Sequence, residues 1–248
     1  MKNILLICSI LLSVNGNSQV AKSFYYNGDG IQRTGSYVEA HPSNDTYFIG
    51  SSRRFGNYSE SILSNLDENG NTIWHATQKH FGVQPMFNGV TDVKVNNSNV
   101  FISSYVYNLN APDRKTKIYK YDFNGVLMDS LLIESPVGIE RYEKNELSFD
   151  SNGNLITIVK DLNDDIIFYK IDVSNMSIIT QQTIGNSTFG ANNTRSFFLE
   201  SYNSKSYLAF GVTDSVKFVS IDDNSGIMTQ FSVPIVGEIL GDFEIFNS

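Results

Sequence analysis

The stretch LDENGNTIW at residues 66–74 carries a hydrophobic residue and an acid, then a short polar turn, then a second apolar run. Three echoes follow: YDFNGVLM (121–128), IDVSNMSII (171–179) and IDDNSGIM (221–228). Their leading acids, Asp67, Asp122, Asp172 and Asp222, stand 55, 50 and 50 residues apart. Asp and Asn side chains bond their own backbone and Gly accepts a positive φ, so each echo reads as a tight turn joining two antiparallel strands.

Working outward, each unit holds four short strand-like runs. The first comprises GSYVEAHP, TYFIGSS, SESILSNLD and NTIWHATQKHFG, spanning 35–82, and the others span 90–133, 145–184 and 195–234. Tyr, Phe, Ile and Val recur at strand positions, whereas apolar residues at three- and four-residue steps do not persist over any long window. In KTKIYKYD, Ile118, Lys120 and Asp122 face one way and Tyr119 and Tyr121 the other; in DIIFYKID, Ile166, Phe168 and Lys170 oppose Ile167, Tyr169 and Ile171. A four-stranded meander cannot bury two faces alone, so each unit requires neighbours on both sides. A period near 50 residues therefore predicts an all-β fold: a β-propeller of four-stranded antiparallel blades, four full blades visible, forming an incomplete ring. An open sandwich of the same strands is the competing arrangement.

Residues 1–19 begin with Lys2, continue through an apolar run from Ile4 to Val14 and end in small polar residues, the layout of a secretory signal with cleavage near Gly16 to Ser18. The sole cysteine, Cys8, falls inside that segment, so the mature protein is expected to lack disulfides and thiolate chemistry. The formal charge of −8 comes without any Lys or Arg run, which argues against nucleic acid as a partner. No further apolar segment reaches the ~20 residues of a membrane span. The expected location is outside the cell or on the outer surface of a bacterium.

LDENGNTIW, together with DSNGNL at 150–155, resembles the blades of secreted bacterial β-propeller repeat proteins. The resemblance extends over residues 21–248 and is strongest in the first and third units. Met128, Ile179 and Met228 stand near the place of Trp74 in the later units, and the fourth lacks the Asn-Gly-Asn turn. Membership of this group implies an exported scaffold or binding module, many such proteins carrying a separate C-terminal sorting domain.

The phase of the repeat makes VAKSFYYNGDG (20–30) a last strand and GDFEIFNS (241–248) a first strand. A blade completed from those two would still lack its middle strands, about 25 residues. The expectation is a piece of a longer protein, or an arc that needs missing blades or a partner chain to close.

Reactive groups are dispersed. His41, His75 and His80 have no metalloprotease spacing and read as ordinary strand or turn residues. The Asp67–Asn71 and Asp150–Asn154 turns lack the ligand frame of a calcium loop. Asp161, Asn163, Asp164 and Asp165 form the densest acidic loop and are the first candidates for calcium, set against a solvated turn. One Trp cannot supply a repeated quinone-docking pattern, and no Gly-x-Ser-x-Gly elbow occurs. No catalytic residue and no cofactor is assigned. The expected function is a non-enzymatic binding or scaffold propeller for a protein or glycan ligand, with Tyr25, Tyr26, Tyr105 and Tyr107 as candidate sugar-stacking rings. The alternative is a carbohydrate-active enzyme with an axial carboxylate site or a catalytic domain beyond residue 248.

Overall fold

The computed structural model describes residues 33–55, 58–79, 86–108, 114–134, 146–161, 163, 165–186, 197–212 and 215–234. The expected signal at 1–19 and the strand-like segments 20–30 and 241–248 lie outside them. The described residues contain sixteen strands and no helix. They form four antiparallel sheets, each a meander in chain order. Blade 1 comprises β1 (Arg33–Ala40), β2 (Tyr47–Phe55), β3 (Tyr58–Leu66) and β4 (Thr72–Lys79). Blade 2 comprises β5 (Met86–Val95), β6 (Val100–Asn108), β7 (Arg114–Tyr121) and β8 (Leu127–Ile133). Blade 3 holds β9 (Leu147–Phe149), β10 (Leu155–Lys160), β11 (Asp165–Asp172) and β12 (Ser177–Asn186), and blade 4 holds β13 (Phe197–Tyr202), β14 (Lys205–Val212), β15 (Ser215–Asp222) and β16 (Met228–Pro234). First strands adjoin one another in order, β1 beside β5, β5 beside β9 and β9 beside β13, which puts them at the common centre. Among the described residues β13 does not repeat that packing against β1. The architecture is a β-propeller whose four blades form an incomplete ring.

The corner turns form for the reasons their residues dictate. Asp67 Oδ1 accepts the backbone N–H groups of Asn69 (2.9 Å) and Asn71 (2.7 Å), and Gly70 takes φ 84°. Asp122 does the same for Asn124 and Val126, with Gly125 at φ 82°. In blade 4, Asp222 holds Asn224 and Ser225 with Gly226 at φ 69°. Blade 3 departs from the pattern, since Met176 occupies the left-handed position at φ 51° and buries its side chain beside Tyr169 and Ile171. Asn203 and Ser204, both left-handed, make the two-residue turn between β13 and β14.

Alternation along the third strands distributes their side chains to two cores. Ile118 packs with blade 3 residues Leu147 and Tyr169, while Tyr119 and Tyr121 pack with Phe48 and Leu63 of blade 1. Ile166 and Phe168 likewise meet Leu208 and Phe210 of blade 4, and Ile167 and Tyr169 turn back toward blade 2.

A polar bond recurs at every joint between blades. The carbonyl just after each corner Asp accepts a donor from the preceding blade: Phe123 O from Trp74 Nε1 (3.1 Å), Val173 O from Lys120 Nζ (2.6 Å) and Asp223 O from Lys170 Nζ. The two lysine bonds, with an ionised donor, contribute about 1.5–3 kcal/mol each, and the neutral indole bond about 0.5–1.5 kcal/mol. At the first joint the Trp74 ring also lies on Gly125, where a Cβ would come within 2.7 Å of ring atoms.

Gly125→Ala therefore combines a left-handed backbone with a steric conflict, whereas Gly153→Ala, at φ 79° with open space around it, has only the first. Urea unfolding followed by fluorescence of Trp74, the only Trp, is expected to show a loss of about 1–2 kcal/mol for Gly153→Ala. Gly125→Ala is expected to lose at least ~1 kcal/mol more. Equal losses would mean that the Trp74 ring does not rest on the turn.

Candidate functional site

The central strands bring together residues that no local motif marks. Register aligns Tyr37 of β1, Asp92 of β5, Glu146 just before β9, and Phe198 of β13. Two residues further on stand Glu39, Lys94, Ser148 and Glu200. β5 gains one residue through a bulge between Val90 and Asp92, which turns the Asp92 side chain toward blade 3. The result is an acidic group at the centre containing one ammonium.

Most of these polar atoms have defined partners. Asp92 Oδ2 accepts the N–H of Leu147 at 2.7 Å and Oδ1 that of Val93 at 2.8 Å. Glu146 Oε2 accepts the N–H of Leu199 at 2.7 Å. Lys94 Nζ meets Glu39 Oε1 at 2.7 Å. The Asp92–Leu147, Glu146–Leu199 and Lys94–Glu39 bonds join consecutive blades, and Asp92 and Glu146 each hold the inner strand of the following sheet. Burial pushes the Asp92 carboxyl up to about 6, against the opposing pull of the Leu147 N–H and Lys94. Burial, with Asp92, Glu146 and Tyr105 nearby, lifts the Tyr37 phenol to about 12. Burial also works against the Lys94 charge, but Glu39, Asp92 and Glu200 outweigh it and hold the ammonium above its usual value.

The sequence candidates fall elsewhere. Asp161 Oδ1 accepts the N–H groups of Asn163 (2.8 Å) and Asp165 (3.0 Å), the same turn-capping geometry as the corner acids; Asp164 lies outside the described residues. Among the described residues no three His, Cys, Asp or Glu side chains gather as a metal would require. Asp150 caps Asn152 and Asn154 and pairs with Lys170 Nζ at 2.8 Å. His41 accepts the Ser43 N–H and its ring lies 4.3 Å from that of Phe123; His75 is exposed, and His80 is outside the described residues. Tyr105 lies across Gly89, its strand-pair partner, and Tyr25 and Tyr26 fall outside the described residues, as does the side chain of Tyr107. No helix among the described residues is long and apolar enough to cross a membrane.

Neither a protein-family model nor a curated protein matches the sequence. Solved structures match the fold. A protein of unknown function from Dyadobacter fermentans is similar with a TM-score of 0.58 at 8% identity, over 87% of this chain and 68% of that one. A protein of unknown function from Bacteroides caccae gives 0.52 at 12% identity, over 87% and 66%. The subtype N10 neuraminidase-like protein of the A/little yellow-shouldered bat/Guatemala strain gives 0.51 at 10%, over 80% and 67%. Such neighbours are propeller folds, and this chain spans about two thirds of their length.

The lifted carboxyl of Asp92 sets a pH dependence. A folded-state value near 6 against about 3.9 unfolded means that stability is greatest below pH 4 for this group and falls as pH rises through 6. The corner acids Asp67, Asp172 and Asp222 are shifted down, so their contribution has the opposite sign and is lost as pH falls through the carboxylate range. Thermal melts from pH 4.5 to 7 are expected to show a declining Tm that flattens in Asp92→Asn. An unchanged slope in that variant would rule the assignment out.

Proposed function

We propose that this chain is the propeller of an exported binding or scaffold protein, without catalytic activity of its own. The observation that carries this reading is the use of Asp92 and Glu146: each holds a backbone N–H of the next blade, so its charge serves the joint between sheets. General acid or base work requires a carboxyl within reach of a substrate proton and free to exchange it. Export is supported by the Lys2 and Ile4–Val14 layout. The partner class that suits this reading is a protein or glycan surface.

One observation favours the alternative of a carbohydrate-active enzyme: Asp92, raised to about 6, shares the centre with Glu39, Glu146 and Glu200. A buried, raised carboxyl among further acidic side chains is the pattern of a candidate catalytic acid.

The two readings separate experimentally. The exported protein is assayed on a panel of polysaccharides and aryl glycosides beside Asp92→Asn and Glu146→Gln. The binding reading expects no turnover above background and a lower Tm for Glu146→Gln, with a loss of about 1–3 kcal/mol. Hydrolysis that disappears in either variant at unchanged Tm would replace it with the enzyme.

A further inference from the structure

The fourth strand is the outer edge of every sheet, and its first residues, just past the corner turn, follow one pattern. In blades 1, 2 and 3 the pairing with the third strand slips at the same place: between Asn65 and Leu66, Lys120 and Tyr121, and Lys170 and Ile171. Each slip is a β-bulge whose extra residue, Ile73, Met128 or Ile179, opposes no residue of the third strand. These three side chains are 54%, 58% and 52% exposed. Blade 4 lacks the bulge but leaves Ile227, beside its corner glycine, 67% exposed. A bulge does not by itself force exposure. β12 has a second one near its far end, and there the extra residue, Ile184, is buried in the joint with blade 4. Nor does the sheet call for an aliphatic side chain at a position without a cross-strand neighbour to pack on. Single exposed apolar residues are ordinary; a large one at the same place in all four blades makes a band.

The charge around this band has one sign. The stretches 66–76, 121–131, 171–181 and 221–231 hold Asp67, Glu68, Asp122, Asp129, Asp172 and Asp222 beside the buried Asp223, and no Lys or Arg. Donors within their own turns, Asn71, Ser174 and Ser225, hold Asp67, Asp172 and Asp222 below the usual carboxylate value, so these three are ionised at neutral pH.

From this we infer that the corner end of the outermost strands is a docking surface for a protein partner that sets lysine or arginine side chains around apolar contacts. Charge complementarity selects that occupant. A second copy of this chain would bring acid against acid, and an anionic lipid surface would repel the same band. The bulges also disfavour a partner that adds a strand, because they interrupt the regular row of edge N–H and carbonyl groups on which such a strand pairs. The contact is therefore made by side chains. This goes beyond the binding reading above, since a band on the outer strands serves an enzyme as well as a scaffold; glycosidase activity would overturn that reading and leave this one standing.

The test is binding of a labelled amphipathic peptide of leucine and lysine to the 248-residue chain, read by fluorescence anisotropy at rising salt. A serine and lysine peptide of equal charge and a leucine and glutamate peptide serve as controls. The leucine and lysine peptide is expected to bind at least about tenfold more tightly than either control, and less tightly as salt rises. Ile73→Thr, Met128→Thr and Ile179→Thr combined are expected to weaken it at least about tenfold at unchanged Tm, whereas Val38→Thr, exposed on an inner strand, leaves it unchanged. Glu68→Lys with Asp129→Lys, which removes no apolar side chain, is expected to weaken it by a similar factor and carries the test if the triple variant fails to fold. No preference for the leucine and lysine peptide, or a preference that survives either variant in folded form, overturns the inference. Binding to phosphatidylcholine vesicles that the triple variant abolishes also overturns it, making a membrane the occupant. So does a dimer mass by sedimentation that the triple variant reduces to a monomer, which makes the occupant a second copy.

Discussion

Every sheet in this molecule has two apolar faces, and the need to cover both governs the rest of the structure. Consecutive residues of β7 and β11 are buried on opposite sides, so neither strand can face water without exposing aromatic or branched aliphatic surface. A pair of sheets would leave two faces bare. A radial series leaves bare only its first and last, and within the series the apolar contribution of each side chain, roughly 1.5–3 kcal/mol, is realised in full.

Apolar burial alone does not fix how one sheet is set against the next, and here the polar bonds matter. Near the corners, Trp74, Lys120 and Lys170 reach a turn carbonyl; at the centre, Asp92 and Glu146 reach an inner-strand N–H. The two sets sit at different places on the sheet, so together they set its tilt as well as its position. The blade 3 to blade 4 joint adds Asp223, whose carboxylate accepts the Ser151 N–H and the Ser206 hydroxyl. This network leaves few of its buried lone pairs without a donor.

The fold was legible because its signal is local. Asp67, Asp122, Asp172 and Asp222 each build a turn from residues within five positions, and a turn of that kind leaves a mark in any sequence. The facing of Ile118 against Tyr119 and of Phe168 against Tyr169 followed from strand alternation alone. The central group was not legible. Of Tyr37, Asp92, Glu146 and Phe198, which share a register position, only Asp92 and Glu146 share a chemistry, and the bulge in β5 moves Asp92 out of step with simple counting. The fading of Trp74 into Met128, Ile179 and Met228 looked like decay of the repeat. In the structure its bond to the corner carbonyl passes at the next two joints to lysines on a different strand, Lys120 and Lys170, which no comparison of equivalent positions would pair with a tryptophan.

At each corner and at the inner-strand bonds formed by Asp92 and Glu146, one of the two partners belongs to the main chain. A carbonyl oxygen survives any substitution, and a backbone N–H survives all but proline. Half of every such handshake is thus immune to point mutation, and the other half can be met by indole, ammonium or carboxylate. An architecture wired in this way makes few demands on which side chain completes each joint.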